Sequence, residues 1–89
     1  MQGTDATVQN KILALVESIL AQNAMPGGVK PDTRLADAGL TSMEMVNLML
    51  GVEALFDMTL PQSDITPENF MSVETIERLV LSRLQKQAA

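Results

Sequence analysis

Asp37-Ala38-Gly39-Leu40-Thr41-Ser42-Met43-Glu44 is a turn that runs straight into a helix. Asp37, Ala38 and Gly39 carry the turn, and Gly39 is able to take a positive φ angle at no steric cost. Thr41 and Glu44 stand at the spacing of a capping box, which places the first helical residue at Ser42. Downstream, Val46, Leu50 and Leu55 lie near one face of the resulting helix, with Met49, Val52 and Phe56 beside them. The spacing predicts a helix over residues 42–56. It is apolar around much of its circumference, so it is expected to be flanked on several sides.

Upstream, Val8, Ile12, Leu15, Val16, Ile19 and Leu20 recur at helical spacing and predict a helix over residues 8–23, with Thr7 as its cap. Met25-Pro26-Gly27-Gly28 ends it. The connection over residues 24–41 is long, and such connections are usually functional or disordered. Leu35 and Leu40 are its apolar anchors. Beyond the second helix, residues 57–65 form a loop through Pro61. Thr66-Pro67-Glu68 then gives a cap, a first-turn proline and an acid near the positive helix end, predicting a short helix that reaches Phe70 or Met71. Ser72 caps a last helix over residues 73–85. No segment alternates as a strand does. The expected fold is all-α: a compact four-helix bundle of three longer helices and one short one, with a long loop between helices 1 and 2. One domain is expected over residues 7–86, between flexible tails at 1–6 and 87–89.

Composition narrows the chemistry. The chain has 89 residues, no His and no Cys, so the usual general base, the commonest metal ligands and any native thiol are missing. A metal site would need carboxylates alone, and no calcium-loop pattern is present. A self-contained enzyme is not expected. Net charge is −5, and residues 32–77 hold nine acids against one base, Arg34. That balance repels nucleic acid and attracts basic partner surfaces, although a solubilising surface accounts for it equally well. No apolar run approaches the ~18 residues of a membrane span, and residues 1–7 lack a basic-then-apolar leader. A cytoplasmic monomer is expected.

Ser42 is the residue of interest. An anchored loop delivers it to the first turn of a helix, where amide hydrogens and the helix dipole favour an attached anion such as a phosphodiester. On the residues alone a plain helix-start role is the simpler explanation of a serine here, since Thr41 with Glu44 already accounts for the local pattern. As a catalytic nucleophile Ser42 lacks a nearby base.

The pattern Asp37-x-Gly39-x-x-Ser42, placed between the first long loop and the second helix, resembles the acyl carrier protein family, which includes peptidyl and aminoacyl carriers. Val46, Leu48, Val52, Phe56 and Asp57, then Pro61, the short helix and Ser72-Val73, follow the family's layout over residues 8–84. The resemblance implies that Ser42 bears 4′-phosphopantetheine, transferred from coenzyme A by a phosphopantetheinyl transferase. Asp37, Gly39, Leu40, Thr41 and Met43 would form the surrounding motif. Cargo would ride as a thioester, and the carrier itself would catalyse nothing. Its further partner would be an acyl or aminoacyl ligase or transferase, met through Met43, Glu44, Met45, Glu53 and Asp57. Met49 is assigned to the core.

Three departures bear on cargo. Thr41 stands where the family commonly has Asp, and Met43 where it commonly has Leu. The second helix carries only Glu44 and Glu53, with Asp57 just beyond, while Asn47, Gly51 and Ala54 are uncharged. Fatty-acid carriers are more acidic there, so service in fatty-acid elongation is not expected. Leu48-Met49-Leu50-Gly51-Val52-Glu53 and Phe70-Met71-Ser72-Val73 resemble stand-alone aminoacyl carriers, and a discrete carrier for polyketide, peptide or special acyl-chain synthesis is equally allowed. The competing reading is a small helical adaptor without a prosthetic group, docking through its acidic face.

Overall fold

The computed structural model describes residues 3–88, with side chains described from 7 to 85. Three α-helices follow one another: α1 (Gly3–Gln22), α2 (Ser42–Phe56) and α3 (Val73–Ala88), with a 3-10 turn at Gln62–Asp64 between the last two. No strand occurs among the described residues. α1 packs against both α2 and α3.

α1 begins at Gly3, ahead of the expected start at Val8. Neither Pro nor Gly interrupts residues 4–22, so nothing obliges the helix to start at Thr7, which lies inside it. Its core stripe is as expected: Val8, Ile12, Val16, Ile19 and Leu20 are buried. The helix closes where the Met25 N–H reaches back to the Leu20 carbonyl at 2.8 Å, with Ala24 at φ 57°. That left-handed position usually takes Gly. At the other end of the chain α3 runs on to Ala88, past the expected limit at 85, and Ala89 lies outside the described residues.

The long connection is tied down. Leu35 and Leu40 are buried as expected. The Glu17 carboxylate on α1 accepts from the N–H groups of Gly28 (2.9 Å) and Val29 (2.8 Å). The Leu35 N–H bonds the Met71 carbonyl at 2.9 Å, and the Glu74 N–H bonds the Pro31 carbonyl at 2.9 Å. These bonds stitch the loop to the segment that leads into α3.

The expected short fourth helix is not formed. Thr66 does cap: its Oγ1 accepts from the Asn69 N–H at 3.1 Å, and the Phe70 N–H closes one turn onto the Thr66 carbonyl at 3.1 Å. The turn stops because Ser72 restarts the chain. Its Oγ accepts from the Thr75 N–H (3.3 Å) and its N–H bonds Thr75 Oγ1 (3.0 Å), capping α3. With no residues over which to elongate, a single turn cannot offset the cost of helix nucleation.

α2 buries Leu48 and Val52 completely. Gly51 is set against α1, where an added Cβ would sit 2.8 Å from both Leu15 methyls. The expectation that α2 is flanked on several sides is overturned: Val46, Leu50 and Leu55 are exposed. Val46 and Leu50 lie two residues from Leu48 and Val52, about 200° round the helix, so the face that α1 covers cannot include them.

Candidate functional site

The site is built at the junction of the long connection with α2. Three residues of the turn over 37–40 are fixed by backbone bonds to the residues before them. The Ala38 N–H bonds the Arg34 carbonyl (3.1 Å), the Gly39 N–H bonds Ala36 (3.2 Å) and the Leu40 N–H bonds Leu35 (3.1 Å). Gly39 has φ 107°, and the Met25 methyl is folded onto it where a Cβ would stand. The backbone angle is what requires glycine here, since the Met25 methyl is the end of a flexible side chain that can move aside. Leu40 is buried beneath, whereas Asp37 is exposed.

Thr41 is the N-cap, in extended conformation with ψ 179°. Glu44 reaches back to it: Oε1 accepts from the Thr41 backbone N–H at 2.8 Å and also from the Thr41 hydroxyl. The hydroxyl bond, with the backbone bond second, holds the Glu44 carboxyl below its usual range. The cap is therefore supplied by Thr41 and Glu44. Ser42, next along, is exposed in the first turn and is not consumed by capping.

Beside Ser42 opens a cleft of about 630 Å³. Met45 and Met49 of α2 form one wall, Phe70 and Met71 the opposite one, and Arg34 lines it from the loop. An exposed hydroxyl at a helix N-terminus, a cation on the same cleft and an open apolar trough suit a serine-linked phosphodiester with a long organic tail.

The other sequence candidates are dispersed along α2. Met43 projects outward, 77 % exposed, while Met45 and Met49 are half-buried in the cleft wall. Glu53 is turned inward, accepting from the Leu60 N–H at 2.7 Å, and so fastens the loop that follows α2. Asp57 is the left-handed C-cap at φ 51°. These two lie about 16 and 22 Å along the helix from Ser42 at 1.5 Å per residue.

The structure also adds residues that the sequence reading did not place at the site: Arg34, Met25, Val46, Ile65 and Met71. Arg34 had a visible signal, as the lone base of an acidic stretch. Val46 had only the apolar circumference of α2, which does not tell the covered face from the open one. Ile65 and Met71 had none, since only the path of residues 61–72 brings them to the cleft.

Among the described residues, no helix is long and apolar enough to cross a membrane, and no group of carboxylates is arranged to hold a metal ion. Residues 10–81 match the family model described as the phosphopantetheine attachment site. The chain is 60 % identical over 89 residues to aminoacyl carrier protein 1 of Bradyrhizobium diazoefficiens, covering 100 % of this chain and 99 % of that one. It is 37 % identical over 71 residues to the aminoacyl carrier protein of Agrobacterium fabrum, covering 75 % and 86 %. Among solved structures, it is similar to a chain from the Bradyrhizobium japonicum glycine:[carrier protein] ligase complexed with its cognate carrier protein and a glycyl adenylate analogue. That likeness has a TM-score of 0.73 and 64 % identity over 84 % of this chain and 97 % of that one. A chain from the complex of the same ligase with glycylated carrier protein gives a TM-score of 0.71 and 65 % identity, covering 81 % and 97 %.

Proposed function

Because this chain belongs to the phosphopantetheine attachment-site family, we propose that it is a stand-alone aminoacyl carrier whose arm is attached at Ser42. The observation that supports this most is the division of labour at the start of α2. Thr41 and Glu44 make the cap, and the adjacent serine hydroxyl is left exposed beside a cleft. The family match displaces the reading of an adaptor without a prosthetic group.

When bound, the arm supplies the thiol that this cysteine-free chain lacks, and on it an aminoacyl group is held as a thioester. The chain's own residues present the hydroxyl and hold it in place. Gly39, Leu40 and Leu35 fix the approach of the loop, so Ser42 is offered at a set height above the cleft. The first-turn amides and the dipole of α2 favour the phosphate charge there by about 0.3–1 kcal/mol. Nothing in the described site acts as a base on the hydroxyl, so activation of Ser42 falls to the transferase.

The partner that loads the arm is proposed to be an aminoacyl ligase, with glycine the first amino acid to try, because ligases of that kind accompany the similar carriers. Its footprint is proposed to be the uncovered apolar stripe of α2, Met43, Val46 and Leu50, continued across the cleft by Ile65 and Met71. Of the expected acidic contacts, Glu53 already serves the loop after α2. The carrier is proposed to work as a monomer and to receive its arm from coenzyme A through a phosphopantetheinyl transferase.

The decisive experiment is intact mass after incubation with coenzyme A and a broad-specificity transferase. Wild type gains one phosphopantetheine. Ser42→Ala gains none and keeps its helical circular dichroism, since the cap belongs to Thr41. An arm on the alanine variant would refute the site, and an unmodified wild type under conditions that load another carrier would refute the function.

A further inference from the structure

We infer that Arg34 binds the phosphodiester at the root of the arm, and this inference rests on the reading that Ser42 carries that arm. The argument starts from charge. Residues 32–77 hold nine acids, and Arg34 is their single base. A lone cation in so acidic a stretch should pair with a neighbouring carboxylate, yet among the described residues it does not. The ion pairs among the described residues join Arg78 to Glu74 and Arg83 to Asp64. Glu68 lines the same cleft as Arg34 but is not within ion-pair distance of it.

The second observation is how firmly the backbone of Arg34 is held. Its carbonyl accepts from the Ala38 N–H at 3.1 Å, within the turn that leads to Ser42. The next residue, Leu35, is fully buried, and its N–H bonds the Met71 carbonyl at 2.9 Å across the cleft. The root of the side chain is therefore fixed to the turn that leads to Ser42 and to the Met71 wall, while the residue itself stays exposed on the cleft that Ser42 also lines. An arginine with no ion-pair partner among the described residues, anchored on the same cleft as a serine proposed to bear a phosphodiester, has the chemistry to complete an anion site. Its planar fork donates to two phosphate oxygens, and the N-terminus of α2 supplies the remaining favourable field. Neither feature does this alone: the helix end lacks a full charge, and the arginine lacks an oriented neighbour.

The role is distinct from loading, so it is read on the loaded carrier without any ligase. Wild type, Arg34→Lys and Arg34→Gln are each driven to full phosphopantetheinylation, checked by intact mass. The ³¹P resonance of each is then followed as salt is raised from low ionic strength to about 1 M, where the Debye length falls to ~3 Å. In wild type the resonance moves as the pair is screened, whereas in Arg34→Gln it starts near the high-salt position and stays there. Arg34→Lys keeps the charge but not the fork, and falls between them. In parallel, attachment raises the Tm of wild type by about 1–8 °C, the range for an exposed charge pair in a domain of this size. Arg34→Gln loses most of that gain. Identical ³¹P salt responses in wild type and Arg34→Gln, on fully loaded protein, overturn the role of Arg34 alone. Absence of any mass gain overturns the attachment at Ser42 and this inference with it.

Discussion

α2 and α3 are nearly equal in length, 15 and 16 residues, yet they are built on opposite plans. α3 is apolar only inward: Val73, Ile76, Leu79 and Val80 are buried, and Glu74, Arg78 and Ser82 face water. α2 is apolar on both sides. Leu48 and Val52 enter the core, while Met43, Val46 and Leu50 stand in solvent, the last two each 52 % exposed. One apolar face is enough to hold a helix in a small globule. A second, uncovered one adds nothing to the fold and invites association, so its presence beside Ser42 supports the proposal that partners read α2. The ends of the helices differ in the same way. α3 starts under a serine cap that is itself buried, and α2 starts under a cap made by Thr41 and Glu44 that leaves the next serine exposed.

The comparison breaks if the two faces of α2 respond alike. Leu48→Ala removes a fully buried side chain and is expected to cost about 2–5 kcal/mol, lowering Tm by roughly 10 °C or more. Leu50→Ala, two residues on, should stay within about 0.5 kcal/mol of wild type. Loading by the aminoacyl ligase should show the reverse order. Leu50→Asp, or Val46→Asp beside it, is expected to weaken docking about tenfold, equivalent to ~1.4 kcal/mol. Thermal melts and ligase saturation curves on the phosphopantetheinylated variants check both halves. Equal loss of stability at the two positions, or unchanged docking by both aspartate variants, would make the exposed stripe incidental.

Gly51 sharpens the comparison from within α2. In sequence it reads as a missing charge on the docking helix; in the structure it is where α1 comes closest. Alanine there gains about 1 kcal/mol of helix propensity but thrusts a methyl to 2.8 Å from both Leu15 methyls. Because both branches of Leu15 are in the way, turning its χ2 alone does not clear the contact and its χ1 or α1 itself has to shift; overpacking of this kind costs about 1–3 kcal/mol. Gly51→Ala is therefore expected to lower stability by about 1 kcal/mol in wild type and to raise it in a Leu15→Ala background. A double-mutant cycle in urea measures the reversal. If Gly51→Ala stabilises both backgrounds, the glycine has no packing role.

What could be read in the sequence was what is decided within a few residues. The cap at Thr41–Glu44, the cap at Ser72 and the need for glycine at position 39 all lie in contacts three residues long or in a single backbone angle. The start at Thr66 was legible for the same reason. The Ser72 cap that ends it after one turn is local too, whereas the bonds that pin that stop to a distant loop, Leu35 to Met71 and Pro31 to Glu74, were not legible. Periodicity likewise showed that α2 is apolar nearly all round, but it could not say which face α1 would cover. Glu53 looked like a docking acid until the chain turned Leu60 back onto it. For the site, Ser42 followed from motif and position, whereas the cleft walls required residues from three separated segments to meet.

The smallest effect expected concerns the cap itself and is read through pH. The Glu44 carboxyl is held below its ordinary range by the Thr41 hydroxyl first and the Thr41 backbone N–H second. A carboxyl lowered in the folded state contributes stability that is fully present above its unfolded value, near ~4.3, and is lost as pH falls through the lower folded value. Glu44→Gln cannot titrate. The stability gap between wild type and Glu44→Gln should therefore be constant from pH 7 down to about 5 and then shrink as the medium becomes more acid. α3 supplies the control, because its cap, Ser72 with Thr75, has no titrating group and Thr75→Val should differ from wild type by the same amount across the range. Urea melts in steps from pH 7 to 3 give both curves. A Glu44→Gln gap that does not change with pH would mean that the carboxylate contributes nothing as a charge, and the start of α2 would then be held in the same uncharged way as the start of α3.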